Sequence, residues 1–228
     1  MGIFAISDLH LGFGCDKPMD KFGENWHNHA DKIQNEWIRT ITERDTVLIP
    51  GDISWAINMR EATADLQFIN NLPGKKIVVE GNHDQYWWKS TKKLNETYDS
   101  TLFLRNTHVM CEDFAICGTR GWNCPGYSDF TAHDEKIYER EVNRLKISLD
   151  SAVKAGASQI IVMIHFPPTI NEMESGFTEL IHSYPVKMVT YGHLHGQEFD
   201  ASIRGIVNGV EYILVSADYL NFSPIQIA

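Results

Sequence analysis

The chain has 228 residues, 43% of them hydrophobic and 11% aromatic, a composition that excludes the disordered, collagenous and low-complexity classes. A chain of this length buries about 70% of its extended surface on folding, so one domain over residues 1–228 is expected. With 30 acidic against 20 basic residues the formal charge is −10, which excludes coating of nucleic-acid polymers by a broad basic face and leaves room for a phosphate held by bound cations.

The chain opens Met1-Gly-Ile-Phe-Ala-Ile-Ser7, without a basic segment or a cleavable apolar stretch, so a cytoplasmic protein is expected. Residues 3–6 read as a buried strand. His27-Asn28-His29 reads as a helix entry with Asn28 at the N-cap, and Ile33, Trp37 and Ile41 recur at steps of four. A second strand over 47–49, a helix marked by Ala62, Leu66 and Ile69, and a third strand over 77–79 complete a βαβαβ unit. Residues 102–104, 109–111 and 114–117 read as a meander turning at Glu112-Asp113, and 121–129 (GWNCPGYSD) as a turn-rich surface loop. Ile137, Val142, Leu145, Leu149 and Val153 stripe a long helix over about 131–155. Buried strands follow at 160–164 and 186–190; the first is the longest apolar run and is far too short to span a membrane. Finally, 203–207 and 210–215 flank Asn208-Gly209, a hairpin turn. This order predicts a layered α/β sandwich with mixed sheets and no internal repeat or linker. Cys15, Cys111, Cys117 and Cys124 form no CxxC pair; they read as reduced thiols, with Cys111 and Cys117 on adjacent strands.

Polar residues with metal-ligand chemistry recur just after the predicted strands, where an α/β sheet places its sites. Asp8-Leu-His10 follows the first strand, Gly51-Asp52 the second, Gly81-Asn82-His83-Asp84 the third, His165 the fourth and Gly192-His193-Leu-His195 the fifth. Each piece alone is common, because Gly, Asn and Asp also make turns; the ordered set is what carries information. Carboxylate, amide and imidazole donors without thiolate suit Mn, Fe, Zn or Co. Two such cations about 3.5–4 Å apart can activate a shared hydroxide and clamp the oxygens of a phosphate during in-line displacement.

The ordered set resembles the calcineurin-like metallophosphoesterases, whose pattern runs D-x-H, GD, GNH-[DE], H, GH-x-H, and the resemblance extends over residues 8–195. It implies a four-layer α/β/β/α sandwich and a two-metal site. By it, Asp8, His10 and His195 hold the first metal, Asn82, His165 and His193 the second, and Asp52 bridges both. His83 is then the catalytic histidine that binds no metal, with Asp84 hydrogen-bonded behind it to favour an imidazolium that neutralises charge or donates a proton. Many members write GD-x-x-D where this chain has Gly51-Asp52-Ile53-Ser54-Trp55, a departure that loses a supporting carboxylate and no ligand. Gly118-Thr-Arg120-Gly-Trp122 resembles a bacterial branch of predicted phosphohydrolases.

Other residues are candidates for substrate contact. Trp55 and the Tyr86-Trp87-Trp88 run offer an aromatic wall for a flat leaving group, with core packing as the alternative. Arg120 and Trp122 offer a fork and a face for a substrate phosphate, with a surface salt bridge as the alternative. His108, His133 and His182 match no motif. The expected function is hydrolysis of P–O bonds in a small phosphomonoester, nucleotide or phosphodiester through a metal-bridging hydroxide. The partner is therefore a small phosphorylated substrate and neither a membrane nor a nucleic-acid polymer. A nuclease, a scaffold of the same fold without catalysis, and a mononuclear metal-binding protein are the alternatives.

Overall fold

The computed structural model describes residues 1–127, 130–169 and 173–228; Ser128 and Asp129 of the turn-rich loop lie outside the described residues. Strands with apolar residues at successive positions must bury two faces, and here they do. Strand β1 (Ile3–Ala5) turns Phe4 outward and Ile3 and Ala5 inward, β2 (Thr46–Pro50) turns Val47 and Ile49 outward and Leu48 inward, and β3 (Lys75–Val79) turns Val78 outward and Ile77 and Val79 inward. The three run parallel, with β4 (Thr101–Phe103) beside β3 and the short β11 (Ile225–Gln226) antiparallel beside β1. Helices α1 (His29–Thr40), α2 (Met59–Asn71) and α3 (Thr91–Thr97) make the connections and cover the outer face, where Trp37, Leu66 and Leu94 enter one core.

The second sheet has the order β5-β6-β7-β8-β10-β9, with β5 (His108–Cys111), β6 (Phe114–Thr119), β7 (Ile160–Ile164), β8 (Val186–Tyr191), β9 (Gly205–Val207) and β10 (Val210–Leu214). Helices α4 (Ala132–Lys154) and α5 (Gly176–Ser183) cover its outer face, burying Leu145, Leu149 and Ile181 against Val162 and Val189. Ile116, Ile161 and Met163 face Leu48 and Val79 of the first sheet across a third core. Three apolar layers between two mixed sheets and two helical layers make a four-layer α/β/β/α sandwich. Thr131 starts α4 with a reciprocal capping box to Asp134, a device worth about 1 kcal/mol.

Three expectations change. The meander is split: β4 pairs with β3 in the first sheet, while β5 and β6 form a hairpin at the edge of the second. Asn28 does stand at the N-cap of α1, but in a left-handed conformation (φ 51°) with no capping bond from its side chain. The strand expected from residue 203 begins at Gly205, because the preceding segment makes a 3-10 turn and Ile203 is held in the core with its carbonyl accepting from Tyr191 Oη (2.6 Å). Cys111 and Cys117 lie on adjacent strands, opposite Phe114 and His108 respectively, and all four cysteines are free.

Candidate metal centre

The loops leaving the carboxyl ends of β1, β2, β3, β7 and β8 carry the candidate ligand motifs, and the loop after β10 carries Asp218. Their backbone is strained: Asp8 (φ 56°), His10 (43°), Asp52 (53°) and His193 (72°) are all left-handed, at about 1–3 kcal/mol for each such residue. Side-chain direction outweighs local stability here. Two glycines permit the closeness that results, since a Cβ on Gly81 would stand 2.1 Å from Asp52 Oδ1 and one on Gly192 2.0 Å from Asp8 Oδ2.

Two sets of donor atoms converge. In the first, His10 Nε2 lies 3.3 Å from His195 Nε2, which is 3.7 Å from Asp8 Oδ1. In the second, Asn82 Oδ1 lies 2.8 Å from His165 Nε2 and 3.1 Å from His193 Nδ1, and the two nitrogens are 3.3 Å apart. Asp52 Oδ2 stands between the sets, 3.9 Å from His10 Nε2 and 3.4 Å from His165 Nε2. Asp8, Asp52 and His165 also come within ligand reach of one ion. The Nδ1–H of His165, however, donates to the Pro50 carbonyl (3.0 Å), which leaves Nε2 as its open atom and puts the ring in the second set.

The chemistry of these donors fits cations. The Pro50 contact leaves the inward Nε2 of His165 as a bare lone pair aimed at Asn82 Oδ1 and His193 Nδ1, while His195 donates Nδ1–H to Asp218 Oδ1 (2.9 Å) and turns its Nε2 inward. His10 Nδ1 is buried with no partner among the described residues. Burial, then neighbouring histidines, pushes His10 and His193 well below the ordinary imidazole range; burial and the Asp8 carboxylate push Asp52 well up. His195 is the exception: burial lowers it, but Asp218, Asp8 and Asp52 together lift it to about 9. Converging lone pairs and a buried carboxyl driven toward neutrality are what a pair of transition-metal cations would satisfy.

His83 flanks the sets. Its backbone N–H donates to Asp52 Oδ1 (2.9 Å), its Nε2 lies 3.9 Å from Asp52 Oδ2, and its half-buried ring faces a pocket of about 460 Å³. Burial, with His165, Lys17 and His195 adding to it, pushes its pKa down to about 4. The ring is therefore neutral at neutral pH, against the expected imidazolium. Asp84 is also placed differently: its fully buried carboxylate accepts the backbone N–H groups of Asp52 (2.8 Å), Gly81 (2.9 Å), Ile53 (3.1 Å) and Ser54 (3.4 Å), and no hydrogen bond among the described residues joins it to the His83 ring. Asp84 is a positioning residue that ties the second motif to the third.

Arg120 and Trp122 do not reach the pocket. Arg120 is buried, its guanidinium on Glu141 (3.4 Å) and Gln85 (3.3 Å), and Trp122 donates Nε1–H to Asp134 (3.0 Å). Trp87 and Trp88 are core residues, whereas Trp55 lines the pocket, stacked on His10 (centroids 4.7 Å apart) and tilted against His83 (4.0 Å). His29 supports the His10 turn by donating Nε2–H to the His10 carbonyl (3.2 Å). Asp218 matches no motif. Its one sequence signal is position, a carboxylate just after a strand, like Asp8 and Asp52.

The chain is 32% identical over 78 residues to the gene 66 protein of Mycobacterium phage L5, a match spanning 34% of this chain and 37% of that one. Among solved structures, a protein of unknown function from Aquifex aeolicus superposes with a TM-score of 0.48 at 17% identity, covering 99% of this chain and 95% of the other. A structure described as a novel archaeal phosphodiesterase gives 0.43 at 16% identity, covering 94% and 82%. The sequence profile of the calcineurin-like phosphoesterases matches residues 1–197, and the chain belongs to that family of metal-dependent phosphoric ester hydrolases.

Proposed function

We propose that the protein hydrolyses a P–O ester bond of a small phosphomonoester, nucleotide or phosphodiester at a two-cation centre, with residues 1–228 acting as one domain. Asp8, His10 and His195 would hold one cation, Asn82, His165 and His193 the other, and Asp52 both. The carrying observation is that the two donor sets share one oxygen of Asp52. Mn, Fe, Zn or Co fits this donor chemistry. The pair of cations supplies activation of water as the nucleophile and neutralisation of the phosphate oxygens.

The chain's own groups do the rest. Asp218 fixes the tautomer of His195 and aims its Nε2 inward. Asp84 holds the Asp52 turn against the Asn82 turn through four backbone amides. His83, neutral and open to the pocket, donates an N–H hydrogen bond to a phosphoryl or leaving oxygen as charge develops there. The −10 charge favours small substrates over nucleic-acid polymers, and free cysteines suit a reducing, cytoplasmic setting. Among the described residues no helix is long and apolar enough to cross a membrane.

The test is elemental analysis of the purified protein together with turnover of phosphomonoesters and phosphodiesters before and after chelation. Two transition metals per chain and chelator-sensitive hydrolysis are expected. One metal or none, or hydrolysis indifferent to chelation, would overturn the two-cation reading.

A further inference from the structure

We propose that the ester recognised at this centre is a nucleotide whose base stacks on a wall formed by Phe22 and Trp55, an inference that rests on the phosphoesterase reading. The wall is built by the segment between β1 and α1, which folds as two short 3-10 turns, Met19–Phe22 and Glu24–Trp26. The segment is pinned at three points. Met19 and Trp26 are buried in the outer core of the first sheet, and the Phe13 N–H donates to the buried Asp65 carboxylate (2.8 Å). Met19 Sδ also accepts the Trp55 indole N–H (2.8 Å).

Between the two buried anchors Phe22 is left 64% exposed at the pocket. Its ring is parallel to that of Trp55 within 6°, with centroids 6.2 Å apart, and Trp55 itself is stacked on His10. A large aromatic residue held in water beside a polar floor is a costly placement for packing and a useful one for a flat ligand. Lys17 Nζ lies 5.1 Å from the Trp55 ring centroid. The pocket, about 460 Å³, is within the size range of small-ligand sites. It joins a floor suited to phosphate with an apolar wall, the two halves of a nucleotide.

The order of the rings selects the ligand. Trp55 touches His83, and Phe22 lies one ring further out. A ring bonded directly to the ester oxygen would meet His83 and the edge of Trp55, leaving Phe22 in water. A nucleoside places a sugar between phosphate and base and so reaches Phe22. Asn25, also in the lining, offers an amide to a base edge.

The experiment measures binding of hydrolysis-resistant phosphonate analogues of adenosine 5′-phosphate and of ribose 5-phosphate, which differ only by the base, to the metal-loaded protein by tryptophan fluorescence. Base–aromatic stacking predicts an adenosine preference of about five- to 150-fold. Phe22→Ala should bring that ratio toward one, and Phe22→Trp should keep it. A ratio near one in the wild type, or one unchanged by Phe22→Ala, would overturn the proposal. So would phenylphosphonate binding as tightly as the adenosine analogue, which would transfer the wall to aryl phosphates. Turnover of p-nitrophenyl phosphate and of bis(p-nitrophenyl) phosphate, read separately, tests the phosphoesterase reading: a base preference without turnover of either would sink that reading and leave the stacking wall standing.

Discussion

Glu141 on α4 and the pair Asp8 and Asp52 are all buried carboxylates, yet their surroundings differ in one respect. Glu141 accepts from Thr119 (2.7 Å), Arg144 (2.6 Å), Arg120 (3.4 Å) and Arg140 (3.4 Å), so its lone pairs are met by the protein's own donors. The Asp8 and Asp52 region holds the bare His165 Nε2 facing the Asn82 Oδ1 acceptor at 2.8 Å, imidazole nitrogens 3.3 Å apart, and an orphaned His10 Nδ1. Burial is similar in both; the balance of donors and acceptors is what differs. A balanced cluster is architecture, and one with a surplus of inward lone pairs needs cations from outside.

Removing one carboxylate from each cluster should therefore give opposite results, and this is the largest effect expected. Glu141→Ala leaves three arginines without their buried partner and should cost about 3–5 kcal/mol while metal content is retained. Arg120→Ala should likewise lower stability without raising KM. Asp52→Asn keeps the acceptor for His83 N–H, removes a carboxyl that burial and Asp8 disfavour, and should leave the chelated protein at least as stable as wild type while abolishing tight binding of both metals. Urea unfolding in chelator and elemental analysis read the two outcomes. Glu141→Gln, which preserves shape, serves if the alanine variant does not fold. Equal destabilisation of the chelated protein by the Glu141 and Asp52 changes would erase the distinction.

His83 sharpens the comparison from within the metal cluster, since it belongs to neither donor set. His83→Ala should retain both metals and lower kcat by about 10²–10³, the loss typical of one donor to a developing oxyanion. A neutral donor to the phosphoryl oxygens predicts similar losses on alkyl phosphates and on p-nitrophenyl phosphate. A much larger loss on the alkyl ester would restore the proton-donor role that the depressed pKa of about 4 argues against.

The same contrast explains what was legible in the sequence. The motif residues were visible because each follows a short run with apolar residues on both faces, and the layered architecture followed from those strands: Ile161 and Val162 need opposite faces to bury them. The splitting of β4 from β5 was not legible, because a short apolar run carries no mark of which sheet it joins. The sequence left Arg120 open between substrate and salt bridge, since a guanidinium beside a strand end looks the same whether its carboxylate is a residue 21 positions later or a substrate. The resemblance paired Asp84 with His83, yet its carboxylate reaches across to the amides of the neighbouring loop. Phe22 lies in a stretch with no periodicity, and only burial of its neighbours Met19 and Trp26 reveals it as the residue left out.

A smaller effect should come from Asp218, which supplies no donor atom of its own and acts through His195. Asp218→Asn should weaken binding at the first metal by about 10–100-fold, the range for losing such a supporting carboxylate. The second metal should be spared. Equal loss at both sites, measured by competition with a chelating dye, would make Asp218 a general structural residue.

The smallest effect is a slope with pH, and it carries opposite signs with and without metal. In the chelated protein His195 is lifted to about 9 from an ordinary 6.5. Between those values the folded chain binds a proton that the unfolded chain does not, so the stability this group contributes is full below 6.5 and is lost as pH rises toward 9. Stability in chelator should then fall from pH 6.5 to 8, and Asp218→Asn, which removes the principal cause of the lift, should flatten the slope. With metal the same proton must leave before Nε2 can ligate, so affinity, and the stability that binding confers, should rise across the same interval. Urea midpoints at three pH values, with and without chelator, give both slopes. Slopes of the same sign in the two series would show that His195 is not the group on which metal and proton compete, and would remove it from the first donor set.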